Sequence, residues 1–460
     1  MEAAMANVDL GRYRRIVQMF WDPEPTNDSS LDQPVWCLGR SYRLSHTKKT
    51  KHLDQTKQQS VIDDPSKTPP PASTQSASSD ADPESGVLVS PPNIPDTPPE
   101  SASSSFSSSL AFGETDQDDG QWPKGFIEDF ESRLWMTYRS DFEIIPKSSD
   151  PKAVSSLSFS MRIKSQLGEQ AGYSSDSGWG CMIRSGQSLL ANSILSLRLG
   201  RDWRRGMKAL EERSIVSLFA DDPRAPYSIH NFVRHGAEAC GKYPGEWFGP
   251  SATARCIQAL ANSREPDLRV YSTGDGPDVY EDSFMKIARP QGETFHPTLI
   301  LVGTRLGIDK ITPVYWEALV AALQIPQSIG IAGGRPSSSH YFVGAQGSFL
   351  FYLDPHHTRP ALPYHSDPSL YSDEDIASCH TTRLRRLHVR EMDPSVLIGF
   401  LIHSEQDWED WRKSVKHVQG KAIIHVSDKD PITLGFVEGR EGAIDEVEPL
   451  SDDDDTLHGA

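Results

Sequence analysis

The chain has 460 residues, 37% hydrophobic and 24% charged, with a formal net charge of −18. That length carries one large domain or two smaller ones plus unstructured segments, and so acidic a surface repels a polyphosphate backbone, which excludes nucleic acid as an expected partner. No stretch approaches the ~18 uncharged apolar residues of a membrane span, and Met1 to Gln18 lack a signal peptide's apolar run, so a soluble intracellular protein is expected.

In chain order, residues 1–44 carry Tyr13, Ile16, Val17, Phe20 and Trp21 and then the run Pro34 to Tyr42, too apolar for a free tail. They read as a short helix and a strand docked on the main domain. Residues 45–120 turn to Ser, Pro, Asp, Lys and Gln, which cannot bury enough apolar surface to offset ordering entropy, so disorder is expected. Order resumes at Trp122 in the main domain, residues 121–440. Phe126, Ile127, Phe130, Leu134 and Tyr138 share one helical stripe, followed by an extended piece, Phe142 to Ile145. Helices are expected at Trp203 to Phe219 and Ile229 to Ala239, and again after the glycine-rich loop Gly241 to Pro250, with Ser251 as cap. The second half changes period. Thr298 to Val302 reads as a buried strand, Pro313 to Leu323 as a helix and Ser328 to Ala332 as a strand, before a loop from Gly333 to His340. Tyr341 to Ala345 and Ser348 to Leu353 form a hairpin; a helix at Ser404 to Val415 and a strand at Ala422 to Val426 follow. An acidic tail, 441–460, closes the chain. Helices mostly precede strands, which argues for the α+β class.

The chemistry concentrates in Tyr173 to Leu197. Gly178, Trp179 and Gly180 do not start a helix comfortably, whereas Ile183, Gln187, Leu190, Ile194 and Leu197 recur at helical spacing. The helix therefore begins at or just before Cys181. Unpaired N–H groups and the positive end of the helix dipole favour thiolate over thiol there and offer an oxyanion site. The flanking glycines are expected to leave the sulfur accessible. The other cysteines, Cys37, Cys240, Cys256 and Cys379, are scattered without a CxxC, so neither a disulfide framework nor a zinc site is expected.

A cysteine hydrolase also needs a histidine to move a proton and an acid to orient it. His340 lies at the start of the hairpin, and Asp354, His356 and His357 at its end. Either Asp354 pairs with His340 across adjacent strands, or it orients His356 two residues on; spacing alone leaves both open. On an extended segment Asp354 and His356 would project to the same side.

The segments Ser175-Asp-Ser-Gly-Trp-Gly-Cys-Met-Ile-Arg-Ser-Gly-Gln187, Gly241 to Pro250, Gly330 to Val343 and Tyr352-Leu-Asp-Pro-His356 resemble the autophagy cysteine proteases, the autophagins, with weaker matches at Leu134 to Tyr138 and Phe400 to Val415. The resemblance implies a papain-like α+β fold with a small helical auxiliary subdomain. It also implies a peptidase that cleaves after the C-terminal glycine of a ubiquitin-like autophagy modifier, maturing its precursor and releasing it from phosphatidylethanolamine. It makes Cys181 the nucleophile, His356 the base, Asp354 its orienter and Tyr138 a neighbour of the oxyanion hole. Trp247 and Pro336 would cover the cleft until substrate arrives. No metal or organic cofactor is implied. The expected location is the cytoplasm, with recruitment through the substrate to autophagosome-forming membranes and a nuclear pool left open. Two other classes compete: a binding protein that has lost catalysis, which the intact Cys181, Asp354 and His356 oppose, and an anion-binding enzyme using Gly333-Gly-Arg, which lacks a P-loop's Lys-Ser/Thr.

Overall fold

Thr298–Arg305 and Ser395–Ile402 are nearly unbroken apolar runs, and each is buried along almost its whole length. Successive side chains on a strand point to opposite faces, so a strand apolar at every position needs a core on both sides. Leu299 and Leu301 enter one core and Ile300 and Val302 the other; Leu397 and Leu401 likewise oppose Val396, Ile398 and Phe400.

The computed structural model describes residues 24–27, 33–44, 122–158, 161–163, 171–292, 294–335 and 338–431, all in one compact unit. Its strands are β1 (Val35–Cys37), β2 (Arg40–Tyr42), β3 (Arg139–Pro146), β4 (Gly172–Ser175), β5 (Arg269–Ser272), β6 (Asp278–Tyr280), β7 (Thr298–Arg305), β8 (Ser328–Arg335), β9 (Ser338–Gln346), β10 (Phe349–Leu353), β11 (Arg359–Pro360), β12 (Arg386–His388), β13 (Ser395–Ile402) and β14 (His425–Ser427). The main helices are α1 (Lys124–Glu131), α2 (Cys181–Leu199), α3 (Ala209–Ser217), α4 (Ile229–Ala239), α5 (Pro250–Arg264), α6 (Glu281–Ala288), α7 (Trp316–Ala322) and α8 (Glu405–Lys416). The main sheet runs β12-β10-β9-β8-β13-β7-β5, antiparallel except for β5 beside β7, and β1 adds to β9 with β2 outside it. Helices α2 and α5 cover the face that carries Leu299 and Leu397. Phe284 of α6, Leu319 of α7, and Trp408 and Trp411 of α8 fill the other face. A second sheet, β11-β3-β4, lies apart from this one, and β6 pairs with β14. The fold is α+β, as the order of helices and strands indicated. No helix among the described residues is long and apolar enough to cross a membrane.

Several expected elements change. The first helix stops at Glu131, and Leu134 to Tyr138 run extended, because buried side chains of α2 take over the backbone groups a helix would pair internally. Residues 201–208 are turns, bends and irregular backbone, so only Ala209–Ser217 of the expected Trp203 to Phe219 helix forms. Helix α5 starts at Pro250, whose fixed φ suits a first position, with Gly249 rather than Ser251 at the cap. The stretch Gly333 to His340 is not a loop throughout. It is the end of β8 and the start of β9, with His340 opposite Gly333. The expected helix within residues 1–23, the insert 45–120 and the acidic tail lie outside the described residues.

The hairpin of β1 and β2 is anchored through one carboxylate. Asp129, fully buried, accepts from Tyr42 Oη at 2.9 Å, Arg133 Nη2 at 3.0 Å and both terminal nitrogens of Arg201, and Arg204 lies 3.1 Å away. Arg201 in turn donates to the carbonyls of Cys37 and Leu38. Asp129→Ala would leave three guanidiniums without their shared acid, and removing one partner of a buried pair costs about 3–5 kcal/mol. Chemical denaturation of the variant is expected to show a loss of that size; an unchanged midpoint would mean that the hairpin is held by its apolar contacts alone.

Candidate active site

Helix α2 begins at Cys181, as the glycine pattern indicated, with Gly180 at the cap position and no side chain capping the first turn. The N–H groups of the first turn are thus not taken up by a capping side chain. The sulfur is not open to solvent, contrary to the expectation from its glycines: Cys181 is 1% exposed. It is enclosed by hydrogen bonds to the His356 ring, the Tyr138 hydroxyl and the Ser339 backbone N–H. Burial alone would push the thiol up. The hydrogen bond and charge of His356, with the Ser339 and Tyr138 contacts, outweigh it and hold Cys181 below its ordinary value.

His356 and Asp354 lie in a turn after β10, not on an extended segment. The turn itself brings them together: Asp354 Oδ1 accepts the backbone N–H of His356 at 3.1 Å and lies 2.6 Å from its ring Nδ1. That leaves Nε2 for the thiol, with Ser338 Oγ also 3.4 Å away. Burial would lower the imidazole, but Asp354 and the Cys181 sulfur push it up to about 9. Burial would likewise raise Asp354; the His356 hydrogen bond, aided by His340 and Arg385, keeps it well below the usual carboxylate range. Arg385 Nη1 sits 3.2 Å from Asp354 Oδ2.

Of the two histidines left open by spacing, His340 takes a different place. Its Nε2 is 3.8 Å from Asp354 Oδ1, beyond hydrogen-bond distance, and its ring packs against Tyr352 at 4.5 Å and His356 at 5.2 Å. His357 is exposed and stacked on Trp135. Tyr138 presents its ring edge-on to His356 at 5.3 Å, and its hydroxyl meets the Cys181 sulfur and the Gly178 backbone. Burial, then the charge of Cys181, pushes that phenol well above its ordinary value, so it stays protonated. Trp247 is half-buried and lines a cleft of about 20 Å³ with Met182, Pro250, Gly333, Gly334, Ser339, Asp393 and Ser395. Its Nε1 has no hydrogen-bond partner among the described residues. Pro336 lies outside the described residues.

A buried thiol bonded to an imidazole that is bonded to a carboxylate is the arrangement of a cysteine hydrolase. The sequence profile of the Peptidase C54 catalytic domain matches residues 123–414. The chain belongs to the peptidase C54 family. This is the autophagy cysteine protease family that the four segments resemble, and the chain is a thiol protease. Similar C54 relatives include "Cysteine protease ATG4" of Gibberella zeae, 67% identical over 482 residues and covering 100% of both chains. The protein of the same name from Pyricularia oryzae is 61% identical, with 99% of each chain covered. "Cysteine protease 1" of Neurospora crassa is 58% identical over 99% of this chain and 93% of its own.

Other residues of the C54 site take roles that the sequence did not assign to them. Trp135 Nε1 donates to the Asp354 carbonyl at 2.8 Å, while Thr137 Oγ1 and the Tyr138 N–H both donate to the Pro355 carbonyl, at 2.8 and 2.9 Å. Arg385 reaches Asp354 from the far side of the chain, and only the pairing of β12 with β10 puts it there.

The coupled thiol and imidazole predict a bell-shaped rate profile whose limbs belong to the pair. kcat/KM is expected to fall along an alkaline limb with its midpoint near 9, as His356 loses its proton, and to decline on the acid side only below the ordinary thiol range. His356 is raised, so its contribution to stability is complete below its ordinary 6.5 and is lost as pH rises through about 9. Asp354 is lowered, so its contribution is lost on acidification. A kcat/KM that stays level through the alkaline range would contradict the pairing.

Proposed function

We propose that this protease cleaves after the C-terminal glycine of a ubiquitin-like autophagy modifier, maturing its precursor and releasing it from phosphatidylethanolamine. The observation that carries the reading is the continuous chain from Cys181 through His356 to Asp354. The Cys181 thiolate attacks the glycine carbonyl carbon and forms a C–S bond. The negative oxygen then faces the start of α2 and the Tyr138 hydroxyl. His356 as imidazolium gives its proton to the leaving nitrogen, whether of the peptide or of ethanolamine, and the C–N bond breaks. Water, deprotonated by the same imidazole, hydrolyses the thioester, returns the thiol and frees the glycine carboxylate. Asp354 keeps the His356 Nδ1 proton in place so that Nε2 faces the sulfur.

Glycine selectivity would come from the tight surroundings of the thiol: Cys181 is buried, and its neighbour Met182 lines a small cleft with Ser339 and Trp247, so a substrate end without side chains meets the least obstruction. Trp247 would form one part of the gate that the family resemblance assigns to Trp247 and Pro336. Helices α3 to α5, sequential and packed on α2, are the candidate for the auxiliary subdomain. Contact with autophagic membranes would come through the lipid-linked substrate to an otherwise cytoplasmic enzyme.

With a purified modifier precursor as substrate, Cys181→Ser is expected to abolish cleavage while retaining binding, since a hydroxyl here ionises far less readily than the thiol. His356→Ala should be as severe, and Asp354→Asn should lower turnover on the order of 10⁴-fold, as loss of the orienting acid does in serine triads. His340→Ala should keep measurable turnover. An inactive, folded His340 variant beside an active His356 variant would transfer the base to His340.

A further inference from the structure

The turn that delivers Cys181 is built around a side chain that the reaction scheme does not use. Asp176 is fully buried, and its backbone carbonyl accepts the N–H groups of Trp179 and Gly180 at 3.1 and 2.8 Å, closing the turn directly before the nucleophile. Its carboxylate leaves that turn in two directions. Oδ1 accepts the backbone N–H of Arg139 at 2.7 Å, and the Asp176 N–H answers to the Arg139 carbonyl at 3.3 Å. Oδ2 takes the Arg184 Nε at 2.6 Å, within the first turns of α2. Arg184 continues to Asp221 at 2.8 Å, and Asp221 receives the Leu362 N–H at 2.9 Å.

These contacts make Arg139 a shared point. Tyr138, its neighbour, donates its N–H to the Pro355 carbonyl in the turn that carries His356, so the successive backbone N–H groups of Tyr138 and Arg139 bridge the turn of the base and the turn of the nucleophile. The clearance is tight. A Cβ placed on Gly180 would lie 2.5 Å from Asp176 Oδ2, which is why a glycine must precede Cys181 while Asp176 keeps this position.

We propose that Asp176 is a positioning residue for the hydrolysis, fixing Cys181 against the Tyr138 hydroxyl and the His356 ring by holding the Arg139 N–H and the Arg184 guanidinium together. The proposal rests on Cys181 as the nucleophile. Asparagine at this position keeps one acceptor for Arg139 but presents an amide to Arg184. The turn then shifts relative to Tyr138, and the thiolate loses part of its hydrogen bonding.

The test compares full-length wild type, Asp176→Asn, Gly180→Ala and Cys181→Ser. It measures kcat and KM on the modifier precursor, the pH midpoint of Cys181 alkylation by iodoacetamide, and the folded fraction by circular dichroism. Asp176→Asn should lower kcat on the order of 10²-fold, the cost of roughly an ångström of misplacement, leave KM within about twofold and raise the alkylation midpoint. Gly180→Ala, which displaces the same carboxylate from the other side, should give the same signature. Folded Asp176→Asn protein with wild-type kcat and alkylation midpoint would overturn the proposal, as would a kcat loss that merely tracks the unfolded fraction. Should Asp176→Asn fail to fold, Gly180→Ala decides on the same criteria; failure of both to fold would make the contact purely structural and also overturn it. Turnover by Cys181→Ser sinks the nucleophile reading itself, whereas an inactive Cys181→Ser beside a fully active Asp176→Asn sinks only the role given to Asp176.

Discussion

The geometry of the site depends on how the extended backbone from Leu134 to Arg139 is held, because that segment touches both the helix of Cys181 and the turn of His356. Helix α2 grips it with buried polar side chains. Asn192 accepts the Leu134 N–H at 3.0 Å and donates to the Leu134 carbonyl at 2.8 Å, and Ser188 accepts the Met136 N–H at 2.9 Å. On the other edge, Trp135, Thr137 and Tyr138 donate to the carbonyls of Asp354 and Pro355. Buried polar groups are expensive unless paired, so each of these contacts is specific in direction as well as favourable. A polar residue inside a buried helix, which would look like a fault in packing, becomes the ruler that sets the distance between thiol and imidazole.

Electrostatics then decides the protonation states. Desolvation opposes every charge in the site, and a lone thiolate at this depth would not survive. It is offset because the charges come as a chain: thiol to imidazole, imidazole to carboxylate, carboxylate to Arg385. Each link favours the ionised form of its neighbour, which is why Cys181 is held down, His356 up and Asp354 down together. Removing one member should therefore move the titration of the others.

The same burial leaves little open space around the thiol. Cys181 is covered, the space beside Met182 is close to one water in size, and Gly333 and Gly334 line it with backbone. Trp247 is half-buried at this cleft, and its indole N–H has no partner among the described residues.

By itself the sequence determined the elements whose signals are local. The helix start at Cys181 follows from glycines giving way to a helical apolar period, the hairpin of β9 and β10 from alternation around Gln346-Gly347, and the α+β class from the order of helices and strands. It also supplied Cys181, Asp354 and His356 as candidates, through motif segments whose family the profile match shows. Tertiary structure alone decided what depends on partners far away in the chain. Leu134 and Tyr138 continue the helical stripe of Phe126 and Phe130 but lie outside the helix, because Ser188, Asn192 and Pro355 take the backbone hydrogen bonds of this segment. Gly333 to His340 looked like a flexible loop, yet β13 and β9 pair most of it into the sheet. Asp354 could reach either histidine by spacing; a turn with the His356 N–H on the carboxylate, rather than an extended strand, sets one imidazole at 2.6 Å and leaves the other at 3.8 Å. Periodicity records which face of a segment is apolar, but a hydrogen bond between residues hundreds of positions apart exists only once the chain has folded.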